Sequence, residues 1–488
     1  MATRLALRYK FIFIATLLIC FVSSAPSAHA QTVGAGDVLI SEFRLSGPGG
    51  ESDEYIELYC NRDTACDISD YALQAFDPNF GDFADSFPEG TVLAPRGNLL
   101  VGDGSQYTLF SYGALDFDVS AGFDYYVDNE GLQLLSPDGN VVIDSVGFTG
   151  STGGNGYIEG TGLQPATGAR PADQYAYVRK TGTANGGRPQ DTNNNANDFV
   201  LVSVTGAAQP GITQPPVLGA PGPQSSSSPS DFTATVPISL VEPNASQSSS
   251  PNRVRAGSGD AGTISIRRSF TNNTDDTLAY LSFRVIDMTT LNSPNVFGGA
   301  QQADLRLVTS GDAETFTNSQ GRAVVIRGTV LEFDDGETEP NQPNGGGLNS
   351  TVHVDVPGGL AVGETVDVQF LLTVVKSGLF RFYVNFEGFN GAVARPSAAS
   401  GRPTGATPTT RRAPARRLVS IKRRGEAGTF KSGEKFMLKP TVRKTSPVVT
   451  RATPAVNKTT SAVNKATPVV TKATPAATKA TSVKMRQQ

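Results

Sequence analysis

The side chains able to do chemistry are few. Two histidines occur among 488 residues, His29 and His353, and His29 falls in a stretch that reads as a removable leader. That leaves His353 to serve any serine or cysteine nucleophile, and it rules out a histidine-rich metal centre. His353 alternates with Val352 and Val354, the pattern of a strand's polar face. Carboxylate and amide oxygens are more plentiful. The run DTNNNANDF (191–199) carries Asp191, Asn193, Asn195 and Asp198, hard donors of the kind calcium takes. Ala196 and Val202 stand where an EF-hand-like loop would place Gly and Glu, so two readings compete: an Asx-rich turn bonded to its own backbone, and a calcium-stabilised turn. Acidic loops recur at Asp116, Asp118, Asp124, Asp128 and Glu130, and again at Asp334, Asp335, Glu337 and Glu339. Paired carboxylates are the equipment of glycoside hydrolysis. The same acids also keep an exported surface soluble, and the chain has no Trp to stack a sugar. The expectation is a non-catalytic chain that requires no cofactor, with a structural calcium as an option. The alternative is a calcium-dependent extracellular hydrolase of phosphodiesters or glycans.

The compartment follows from the N-terminus. Arg4, Arg8 and Lys10 precede an apolar run from Phe11 to Val22, and Ala28-His29-Ala30 closes a small, polar stretch. This is the layout of a cleaved secretory signal over 1–30. The apolar run is too short to span a bilayer, which takes about 20 residues. A secreted, extracellular or cell-surface location is expected, with no membrane span. In an oxidising compartment Cys60 and Cys66, separated by NRDTA, form a disulfide pair closing a hairpin.

Charge is sharply segregated. Residues 398–488 hold 20 Lys and Arg against Glu426 and Glu434, whereas residues 31–397 hold 18 against 43 acids. Together with the three cations of residues 1–30, a +18 tail on a −25 body gives the small net charge of −4 that conceals both. A dense cluster, Arg411, Arg412, Arg416, Arg417, Lys422, Arg423 and Arg424, precedes six heptads over 443–484, each with a cation in its second position: Lys444, Arg451, Lys458, Lys465, Lys472 and Lys479. Pro447, Pro454, Pro468 and Pro475 exclude a coiled coil, so an extended, disordered Lys/Thr/Pro/Ala-rich tail is expected. Such a tail suits an anionic polymer: polysaccharide, teichoic acid, lipopolysaccharide or extracellular DNA. No aromatic is interleaved in the heptads, so base stacking is not indicated. The alternative is that the cations fold back on the chain's own acidic body.

The elements that must carry these groups are strands. Residues 31–207 alternate short β-branched or aromatic runs with Gly, Asn and Asp turns. In EYIELY, Ile56 and Leu58 share one face and Tyr55, Glu57 and Tyr59 the other. Glu42 and Glu57 sit inside such patterns, either facing solvent or buried with a partner such as Arg44 or Arg179. LQLLSPDGNVVIDSV reads as a hairpin turning at Pro137–Asn140. Residues 208–230, rich in Pro and Ser, read as a semi-extended linker. Residues 231–397 resume strand-sized runs, such as TISIRRSF and TVDVQFLLTVV, without a helical period. The fold expected is all-β: two immunoglobulin-like β-sandwich domains followed by a disordered basic repeat tail.

The first body segment resembles a lamin-tail domain, the immunoglobulin-like module of nuclear lamins and of many secreted bacterial proteins. The resemblance rests on VLISEF (38–43), EYIELYC (54–60), DISDYAL (67–73), NEGLQLLSPDGNVVIDSVGF (129–148) and the closing DTNNNANDF. Cys60 stands where the family often has Asn, and Asp70-Tyr71 where it often has Gly-Trp. The resemblance implies an accessory interaction module for proteins or matrix, often joined to catalytic or surface domains. The second body segment is similar to a generic bacterial immunoglobulin-like domain.

Overall fold

Period-two patterning closes two β-sandwiches. The computed structural model describes residues 32–47, 53–77, 81–102, 109, 117–120, 130–151, 154–165, 174–182, 188–228, 238–313, 315–332, 342–389, 416–417 and 419–420. In the first sandwich an eight-stranded sheet runs in the order Val217–Leu218, Phe199–Ser203, Tyr175–Arg179, Val38–Arg44, Tyr55–Cys60, Asn98–Gly102, Val119–Ser120 and Arg416–Arg417. The opposing sheet runs Val142–Gly147, Gly131–Leu135, Ala72–Asp77, Gly81–Ser86 and Val419–Ser420. Ile40, Phe43, Ile56 and Leu58 from one sheet share a core with Leu73, Leu132, Leu134 and Val146 from the other. Phe43 stacks on Tyr177 and meets Phe148 edge-on, the arrangements aromatic quadrupoles favour.

A bulge sets the phase of the first strand. Val38 and Ile40 point into the core, so strict alternation would send Glu42 there too. The register with Tyr55–Cys60 instead shifts between Ile40 and Glu42. The extra residue flips the alternation, so Phe43 enters the core and Glu42 lies opposite Glu57 on the other face.

That other face is also covered, so Tyr55–Cys60 is buried along its whole length rather than half-buried as its pattern implied. A second apolar cluster of Tyr55, Leu100, Leu109, Phe117, Ala176 and Val202 lies outside the main core, with Leu348 of the second sandwich packed against it. The hairpin at 136–141 forms as expected. Asp138 accepts from the Asn140 amide and the Ser136 hydroxyl, and Gly139 takes the positive φ the turn requires. Cys60 and Cys66 are joined in a disulfide.

The second sandwich is built the same way. One sheet runs Ile238–Leu240, Thr263–Thr271, Thr365–Lys376, Ala323–Arg327 and Thr315–Thr317. Arg253–Ala256 adds to Thr263–Thr271, and Asp304–Val308 to Thr365–Lys376. Its partner sheet runs Val330–Leu331, Thr351–Val354, Tyr280–Met288 and Phe382–Phe389. Phe270, Phe283 and Phe370 meet at the centre with ring centroids 4.7–6.3 Å apart.

The structure differs from expectation over 208–228. Composition read this stretch as a spacer, but it is a strap fastened to both sandwiches. Val217–Leu218 pairs parallel with Val202–Ser203. The Leu348 amide donates to the Leu218 carbonyl, and the Ala220 amide to that of Leu348. Gly219 is required here, because a Cβ would collide with the Leu348 carbonyl oxygen. The prolines explain why a spacer-like composition can be buried. They bring no N–H to satisfy, and the four residues VLGA between them find partners on either side.

The tail differs too, over the few residues described there. Arg416–Arg417 pairs with Val119–Ser120, and Val419–Ser420 with Ser86 and Asp85. Both partners are edge strands with backbone groups to offer. Residues 1–30, expected to be a leader, residues 229–230 and the rest of the tail lie outside the described residues.

Candidate functional site

Among the described residues, two gatherings of buried charge hold side chains singled out above. The first lies between the sandwiches. Glu42 and Glu57 are buried, but their partners are not Arg44 or Arg179, each of which is engaged elsewhere. Glu42 accepts from the Tyr55 hydroxyl at 2.6 Å, the Gly222 amide at 2.9 Å and Asn349 Nδ2 at 3.0 Å. Glu57 accepts from the Ser41 hydroxyl and the Gln224 amide, both at 2.5 Å. Arg284 of the second sandwich closes the cluster. Its Nε donates to Glu387 at 2.7 Å, and its Nη1 donates to the Gly222 carbonyl and to Asn349 Oδ1. The strap and the second sandwich therefore add donors to those that Tyr55 and Ser41 offer two facing glutamates of the first.

Burial, and then the neighbouring charge of Glu42, push the Glu57 carboxyl up to about 8. Burial raises Glu42 as well. An acid whose folded pKa lies above its unfolded value retains its proton while the unfolded chain loses it. The stability of the joined pair should therefore fall as pH rises from about 4.5 to about 8, with a slope of up to about 1.4 kcal/mol per unit from Glu57. Urea midpoints at pH 5 and pH 8 test this. The midpoint should be lower at pH 8, and Glu57→Gln should flatten part of the difference. An unchanged slope in the variant would show that Glu57 is not its source.

The second gathering is inside the first sandwich, around Arg179. Its Nε donates to the Ile40 carbonyl at 2.8 Å and its Nη2 to Asp144 Oδ2 at 2.6 Å. Nη1 donates to the Gln190 carbonyl and lies 3.7 Å from Asp198 and 3.8 Å from Asp191. The guanidinium also sits over the Phe199 ring. The four oxygen donors read from DTNNNANDF are divided among different tasks. Asp198 is buried and caps the turn, accepting from the Thr192 amide and hydroxyl and from the Asn194 amide. The Asn195 amide bonds the backbone of Ser145, Gly147 and Glu159, locking the turn to a sheet edge. Asn193 takes a left-handed φ, and its amide donates to Asp191 Oδ1. The chain here forms an Asx turn followed by the short helix Asn195–Asp198, so residues that alternate in sequence diverge in space. Of the two aspartates, it is Asp191 whose carboxylate joins other acids, Asp144 and Glu159, with ligand oxygens within 4.8 Å of one another.

Sequence reasoning missed Asp144 and Glu159. For Asp144 a signal existed: one acid in the strand VVIDSV, beside a register shift that breaks the alternation. Glu159 lies in a loop with no periodic pattern to mark it.

The remaining candidates are placed as follows. Asp118 accepts from the amides of Leu100 and Ser226 and so ties the strap to a sheet edge. Glu130 accepts from the Ser151 hydroxyl. Asp116, Asp124, Asp128, Asp334, Asp335, Glu337 and Glu339 lie outside the described residues, as do Arg411, Arg412, Lys422, Arg423, Arg424 and the six heptad cations. His353 does lie on a polar face, opposite Ser282, but it is buried, 3.7 Å from Glu332. The strap closes on this face, where Arg284 meets Gly222 and Gln224 meets Glu387.

Comparison with known proteins bears on the first sandwich. Residues 31–150 match the family model described as Lamin Tail Domain. The match ends before Tyr175–Arg179 and Phe199–Ser203, which complete the sheet. No curated protein matches the chain. Among solved structures, a DUF4876 family protein from Bacteroides thetaiotaomicron is 13% identical over 39% of this chain and 75% of that one, with a TM-score of 0.25. A protein described as membrane anchored, from Corynebacterium diphtheriae, is 8% identical over 72% of this chain and 54% of that one, with a TM-score of 0.14. Both scores lie below the level at which overall folds coincide.

Proposed function

Since its first sandwich is a lamin tail domain, we propose that this chain is a non-catalytic, exported binding protein, with a two-sandwich head and a basic tail that tethers it to an anionic polymer. The observation that carries this reading is the segregation of charge: +18 over residues 398–488 against −25 over 31–397. Cations spread along a polymer-binding segment displace condensed counterions from a polyanion, and the gain grows with each contact made. An acidic head opposes adsorption through its own surface, so the tail decides where the molecule is held. The lamin tail domain then serves as the module for a protein or matrix partner. The polymer is an acidic polysaccharide, teichoic acid, lipopolysaccharide or extracellular DNA, and the place of action is the cell surface or its surroundings. The disulfide between Cys60 and Cys66 supports an oxidising compartment.

Retention on an immobilised sulfated polysaccharide tests the tether. The intact chain should be retained at 50 mM salt, and a chain ending at residue 397 should pass through. Equal retention of the two would overturn the reading.

A further inference from the structure

Three chain segments converge on the second charge cluster: the strand Val142–Gly147 with Asp144, the loop 154–165 with Glu159, and the closing turn with Asp191. Four carboxylates, those of Asp144, Glu159, Asp191 and Asp198, face one guanidinium, that of Arg179. Asp198 is saturated by the turn it caps. Asp144 is not. It is 1% exposed, and its Oδ2 accepts from the Ile40 amide and Arg179. Its Oδ1 is buried and has no hydrogen-bond partner among the described residues. A buried carboxylate oxygen without a donor is costly, and here it belongs to a group that already shares a 4.8 Å cluster with two other acids. Asp191 is partly exposed, which gives a route from solvent.

We propose that Asp144, Glu159 and Asp191 bind a hard divalent cation, with calcium the best match to an all-oxygen donor set. Three carboxylates from three segments leave the rest of a six- to eight-oxygen shell to water or backbone carbonyls, a composition calcium accepts. Arg179 lies against two of these carboxylates, with its Nη1 3.8 Å from Asp191 Oδ1. It engages Asp144 through Oδ2, and the excess of negative charge remains after it is counted. The cation would pin the closing turn and the 154–165 loop to the sheet edge.

The test is thermal unfolding and calorimetric titration of the intact chain with calcium chloride, against the same chain in chelator. Calcium should raise the melting temperature by several degrees, with an affinity on the order of the 10⁻⁴ M typical of extracellular modules. Glu159→Gln keeps the shape and removes one charge. It should lower calcium affinity at least tenfold, and without calcium it should melt no lower than the parent, because like charges are relieved. Asp191→Asn, which can still accept from the Asn193 amide, should behave the same way and serves if the first variant folds poorly. Absence of a calcium response in the parent, or an undiminished response in both variants, would overturn the assignment. The variants also separate this site from diffuse binding by the acidic body, which they would leave unchanged.

Discussion

Replacing Arg179 with methionine is expected to destabilise the first sandwich by about 3–5 kcal/mol, the usual cost of leaving a buried charge without its partner. Arg179 is fully buried, and it bonds two carbonyls and Asp144 while lying near Asp191 and Asp198. Methionine fills much of the volume and can still pack on Phe199, so lost packing accounts for little of the effect. The uncompensated carboxylates account for most. Urea unfolding measures it, with the double variant Arg179→Met, Asp144→Asn as the control. The double variant should recover part of the loss, because removing both charges is milder than removing one. A loss below about 1 kcal/mol for the single variant would show that the cluster is not organised by this arginine.

The second large effect lies in the tail. Changing Lys444, Arg451, Lys458, Lys465, Lys472 and Lys479 together to glutamine removes six cations from six heptads while leaving the prolines in place. On duplex DNA each phosphate neutralised contributes about 0.9 to the slope of log affinity against log salt. The variant should therefore show a slope shallower by about 5 and bind far more weakly at low salt. Fluorescence anisotropy of a labelled duplex, titrated across salt concentrations, reads both quantities. An unchanged slope would place the contacts in the cluster around Arg411–Arg424, or leave the heptads without a share in binding.

How much of this was legible in the sequence follows from where each signal is local. The strands were readable because Ile56 and Leu58, or Leu132 and Leu134, repeat at the period the pleat imposes. The hairpin at Pro137–Asn140 and the Cys60–Cys66 pair were readable because short loops constrain their own geometry. The bulge at Ser41 was not, since nothing in VLISEF marks the point at which alternation flips. The outer partner of Glu42 and Glu57 was not, because Asn349 and Arg284 lie more than two hundred residues away in the chain. The strap was misread for a related reason. Proline content reports what a segment cannot do alone and says nothing of a neighbour such as Leu348 that can satisfy it. The acids around Arg179 were half legible: DTNNNANDF pointed to the right turn, but the carboxylates that meet there come from Asp144 and Glu159.

The central claim is that binding resides in a cationic tail carried by an acidic, non-catalytic head. The most direct test is the affinity of the intact chain and of a chain ending at residue 397 for one duplex, measured at 50 and 200 mM salt. The intact chain should bind tightly at the lower salt and more weakly by about three orders of magnitude or more at the higher, and the truncated chain should not bind at either. Binding by the truncated chain, or an affinity indifferent to salt, would contradict it.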